Sequence, residues 1–170
     1  MDYIFDDTRV YVSFYTRDRW WATLLSGTDL LNCAVMFERN NRRVILAAAP
    51  THRPKLVDAD KFHESWAYPK HVIELGMAPV CLKQIDCYIS NNYRGDVRSI
   101  FFWAYFGKYF FPRLLPRTCA LLTCNVLRVC GFRIKDHIQP LHLFKELTNA
   151  NDYHCWSSGS WKDYVSQDDS

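Results

Sequence analysis

In this chain of 170 residues, the side chains with the best setting for chemistry are the run Arg117-Thr118-Cys119-Ala120. Threonine is a strong N-cap, because its hydroxyl accepts from a backbone N–H that the first helical turn leaves unpaired. Thr118 therefore predicts a helix that begins at Cys119. A thiol at that position faces free N–H groups and the positive end of the helix dipole, and both favour thiolate. Arg117 adds positive charge beside it. Such a sulfur can attack a carbonyl carbon and form an acyl-enzyme, provided that a base takes and returns the proton. The competing reading is a small hydrophobe inside a core, where most free cysteines go.

The elements that would position Cys119 are two short helices. Ala120, Leu121, Leu122, Val126, Leu127 and Val129 make the first one apolar and buried, and Gly131 supplies the left-handed residue that ends it. Pro140 opens the second at a position where a missing N–H costs nothing. Leu141, Phe144 and Leu147 give that helix an apolar face at 3–4 spacing.

Upstream, Arg9 to Tyr15 reads as a strand, with Val10, Val12 and Phe14 on one face and Tyr11, Ser13 and Tyr15 on the other. Thr16 caps an amphipathic helix with Trp20, Trp21, Leu24 and Leu25, which Gly27 ends. Leu31 to Glu38 and Arg43 to Ala49 form a hairpin across Asn40-Asn41. Pro50 breaks that ladder, and Asp58 or Asp60 caps a short helix with Phe62 and Trp66. His71 to Leu75 reads as a strand. So does Val80 to Ile89, with a helix as the alternative. Ser99 caps an aromatic helix (IFFWAYFGKYFF) that is too short to span a bilayer. Strands followed by helices predict an α+β fold, an antiparallel sheet with helices packed on one side.

The layout resembles circularly permuted papain-like amidases, the NlpC-like group that includes relatives of lecithin:retinol acyltransferase. Their nucleophile motif, roughly T-C-S-x-x-V-x-x-x-L-G and then T-P-x-x-L, is similar to Thr118-Cys119-Ala120 through Cys130-Gly131, then Gln139-Pro140-Leu141-His142-Leu143. Their base-histidine motif, roughly S-H-V-x-x-x-F-E, falls on Asn32-Cys33-Ala34-Val35-Met36-Phe37-Glu38. The resemblance covers residues 9 to 147. It implies one permuted papain-like domain over 1–148, followed by a polar, aromatic tail over 149–170.

The departure falls on the decisive residue. Cys33 stands where the family has its base, and the orienting position on the next strand falls within Leu46-Ala47-Ala48. A thiol is a poor base for another thiol, and alanine orients nothing. Losing one member of such a constellation costs several orders of magnitude in rate. His52, in the loop after the third strand, is the candidate substitute. His71, His137, His142 and His154 fit the pattern less well. Cys33 beside Cys119 also permits a disulfide or redox pair. The resemblance thus implies a catalytically degenerate cysteine-hydrolase fold used as a binding or structural module, by analogy a phage virion component. The alternative is an active cysteine amidase or peptidase, acting on peptidoglycan peptides or acyl groups through Cys119.

Composition bounds the partners. A net charge of +3 without a dense Lys/Arg stripe argues against nucleic acid. Aromatics at 16% point to protein partners, met through an aromatic surface and the tail around Tyr153, Trp156, Trp161 and Tyr164. The first residues (MDYIFDDTRV) have no basic and apolar leader, which predicts no signal peptide and reduced thiols in a cytoplasm. Seven cysteines without C-x-x-C spacing predict no metal site, and no cofactor motif is present.

Overall fold

The computed structural model describes residues 6–16, 30–48, 53–65, 68–93, 118–150 and 153–168. The expected helices at 17–26 and from Ser99, the break at Pro50, Trp66 and the candidate base His52 lie outside these residues.

Period-two alternation shapes the central strand. β1 (Asp6–Thr16) sends Val10, Val12 and Phe14 into one hydrophobic core and Tyr11 and Tyr15 into a second, so it is buried on both sides. β2 (Leu30–Arg39) and β3 (Arg42–Ala47) join through Asn40 and Asn41, with φ of 49° and 58°. Those values suit a two-residue turn whose twist matches the strands, and asparagine tolerates them better than most residues. β4 (Lys55–Asp58) leads into α1 (Ala59–Ser65), where Asp58 Oδ1 accepts from the Lys61 N–H at 3.0 Å. β5 (His71–Val80) pairs with β1 along its whole length. A bulge at Leu75 interrupts the pairing, because Val10 faces Gly76 while Tyr11 faces Glu74. Gly76 takes φ of 96° there, a conformation that suits glycine.

Residues 80–89 resolve to the helical alternative. Val80 ends β5, and α2 (Leu82–Asn92) buries Ile85 and Ile89 one turn apart. The strand reading fails because the apolar positions repeat at helical spacing. α3 (Cys119–Val129) and α4 (Pro140–Asn149) are the expected pair, with Pro140 in the first turn of α4 and Gly131 at φ of 90° after α3.

The described strands form one antiparallel sheet in the order β4-β3-β2-β1-β5-β6. The fold is α+β as expected, but the described helices divide between two faces. α2, α3 and α4 cover the face of Val12 and Phe14, while α1 and α5 cover the face of Tyr11 and Tyr15. Part of the segment read as a tail builds this second layer. β6 (His154–Ser157) pairs with β5, and α5 (Ser158–Asp168) lays Trp161 on Tyr11 with ring centroids 5.2 Å apart. Ser157 and Ser160 cap α5 reciprocally: each hydroxyl accepts from the other's backbone N–H, at 3.5 and 3.0 Å. The aromatic excess becomes an internal cluster here, with Trp156, Trp161 and Tyr164 in mutual contact. Among the described residues, no helix is long and apolar enough to cross a membrane.

Candidate functional site

The start of α3 is built as its sequence dictates. Thr118 is extended (φ −92°, ψ 159°), and its Oγ1 accepts from the Leu121 N–H at 3.0 Å. This leaves Cys119 as the first helical residue, only 1% exposed and packed over β2.

The side chain that meets Cys119 from the sheet is Cys33. It lies on the inner face of β2 with Val35 and Phe37, and is 2% exposed. Its thiol donates to Thr123 Oγ1 at 3.7 Å. Thr123 is one turn beyond Cys119, so Cys33 sits beneath the first turn of the helix. Both cysteines are free thiols.

The environment treats the two sulfurs differently. The neighbouring Cys33 thiol pulls the Cys119 thiol below its ordinary range, against the opposing push of burial. The backbone N–H groups of Cys33, Ala120 and Cys119 add to the downward pull. Burial drives Cys33 well above the ordinary thiol range, and its hydrogen bond to Cys119 reinforces that. Of the two, Cys119 gives up its proton more readily.

The described imidazoles lie elsewhere. His63, on α1, occupies the opposite face of the sheet, where its Nε2 meets the Tyr15 hydroxyl at 3.0 Å. His71 shares a cross-strand row with Cys33, but Phe14 stands between them. Two strand spacings separate their backbones by about 10 Å. The His71 ring packs on Phe144 at 5.0 Å. His137 pairs with Glu146, and His154 lies on the edge strand against Trp156. Next to Cys33 and Val35, β3 presents Leu46 and, just beyond its end, Ala48, both part of the apolar core. Of the residues singled out from sequence, then, the fold joins Cys119 with Cys33.

Sequence reading missed Thr123, although its four-residue spacing from Cys119 on a predicted helix was a usable signal. It also missed a polar group on the second face. Tyr15 and His63 form a buried pair there, and Arg43 Nε lies 3.6 Å from Asp60. A cleft of about 310 Å³ opens beside them, walled by Tyr68, Trp161 and Lys162. These partners come from β1, β3, α1 and α5, and no short-range pattern links them. At the open end of β1, Arg9 bridges Glu38, Glu74 and the Tyr164 hydroxyl. Among the described residues, no three His, Cys, Asp or Glu side chains converge closely enough to hold a metal ion. Comparison with protein-family models, with curated proteins and with solved structures finds no match to this chain.

Proposed function

We propose that the chain keeps the scaffold of a cysteine hydrolase without its hydrolysis and works as a binding or structural module. The observation that carries this reading is the identity of the group beneath the helix start at Cys119: a second thiol, Cys33, with apolar Leu46 on β3 and Ala48 just past its end. Acyl transfer needs a base that accepts the thiol proton and returns it to the leaving group. Cys33 holds its own proton more tightly than Cys119 does, so it serves neither step. The near-complete burial of Cys119 also works against an extended substrate. By the family resemblance, partners would be proteins in a virus-encoded assembly, and the exposed apolar side chains Tyr68, Met77 and Ile138 are surface positions open to them.

One observation favours the second reading, an active amidase or peptidase: the Cys119 thiol is held below its ordinary range at a helix start. An assay with a p-nitrophenyl acyl ester and a cell-wall stem-peptide amide separates the two. Wild type and Cys119→Ala are expected to hydrolyse both at the same background rate. A Cys119-dependent rate roughly 10³-fold or more above the variant would establish the hydrolase instead.

A further inference from the structure

We propose that Cys33 and Cys119 form a dithiol redox site that reduces small peroxides and closes to an intramolecular disulfide. Its basis is the juxtaposition of two buried thiols from separate elements in one core: Cys119 at the first residue of α3, and Cys33 on β2, whose Sγ lies 3.7 Å from Thr123 Oγ1, one helical turn from Cys119. Thr123 adds a hydroxyl to the same enclosed space. The same two residues underlie the reading above, but this inference does not depend on kinship with hydrolases.

The environment assigns distinct roles to the two sulfurs. Cys119 is the first residue of a capped helix, where unpaired N–H groups favour a thiolate, so Cys119 is the attacking sulfur. Cys33 stays protonated in its apolar surroundings and acts as the resolving thiol. In the first step, Cys119 sulfur bonds to one peroxide oxygen and the O–O bond breaks. Cys119 becomes a sulfenic acid, and the other oxygen leaves as hydroxide, which a solvent proton converts to water. In the second step, Cys33 sulfur attacks Cys119 sulfur. The S–S bond forms, the S–O bond breaks, and the departing hydroxide leaves with the Cys33 proton as a second water. Two electrons pass from the sulfurs to the peroxide.

Burial selects the oxidant. With the two side chains 1% and 2% exposed, hydrogen peroxide is small enough to enter, whereas oxidised glutathione is not. Exposed Cys87 and Cys155 are internal controls that meet both reagents.

The test treats the reduced full chain with hydrogen peroxide, then denatures it, alkylates it and maps the peptides. The expected result is a linked peptide pair containing Cys33 and Cys119, joint protection of both from alkylation, and reversal by dithiothreitol. A Cys33→Ser variant should instead accumulate sulfenic acid at Cys119, giving on the order of tenfold more dimedone adduct than wild type. If that variant does not fold, the wild-type peptide map decides alone. Full alkylation of Cys119 under conditions that oxidise Cys87 would overturn the proposal, as would linkage of Cys119 to another cysteine. Equal formation of the bond with oxidised glutathione would overturn the assignment of a peroxide as substrate.

Discussion

At Cys119 two effects oppose each other. The helix start and the neighbouring Cys33 thiol favour the thiolate, while burial disfavours any charge, and the favourable side prevails with Cys33 as its largest contributor. On the opposite face of the sheet, burial acts on His63 without such compensation. Burial first, and then the neighbouring Arg43, lower its pKa to about 4, against an ordinary value near 6.5. The unfolded chain therefore takes up this proton first as the pH falls. The contribution of His63 to stability is complete above the unfolded value and is lost between about pH 6.5 and 4. The full difference corresponds to roughly 3 kcal/mol. Urea unfolding of wild type and His63→Asn at pH 7, 5 and 4 checks this. The variant should lose less stability than wild type over that range, and identical pH slopes would contradict the assignment.

At the scale of elements, the cap of α3 offers the cleanest test. Thr118 is fully buried, so removing its hydroxyl leaves the Leu121 N–H without its acceptor in a place where water does not replace it. Thr118→Ala is expected to cost about 1–2 kcal/mol in chemical denaturation, while Thr118→Ser, which keeps the acceptor, should recover most of that loss. Thr118, Gly131, Pro140 and the Asn40-Asn41 turn were legible in sequence because each acts on the backbone within a few residues of itself. The juxtaposition of Cys33 and Cys119 was legible only through a family pattern. No local rule brings a strand at residue 33 to a helix at residue 119. Residues 80–92 sat on the boundary: a β-branched and aromatic run reads as strand until the spacing of Ile85 and Ile89 is weighed against it. The Tyr15–His63 pair and the Arg9 network left no signal, because their members converge only after the sheet has formed.

The whole molecule is a sheet that needs cover on two sides. Sequence reading provided for one, since the aromatic residues after 149 looked like a surface offered to a partner. Instead, Trp161 is fully enclosed against Tyr11, and Trp156 and Tyr164 pack around it. Without α5, the side chains of Tyr11, Tyr15, Met36, Ile45 and Val72 would lose much of the layer that keeps water from the second core. Trp161→Ala is therefore expected to destabilise the protein by about 3–5 kcal/mol, the range for removing a buried large aromatic. Asp163→Asn, an exposed change on the same helix, should stay within about 0.5 kcal/mol of wild type. Denaturant midpoints with unchanged slopes make the comparison. If both variants unfold with wild type, α5 is an appendage and, among the described helices, α1 holds the second core. If Trp161→Ala falls as expected, residues 154–168 belong to the folding unit, and among the described residues the large apolar side chains left exposed are Tyr68, Met77 and Ile138 rather than the C-terminal aromatics.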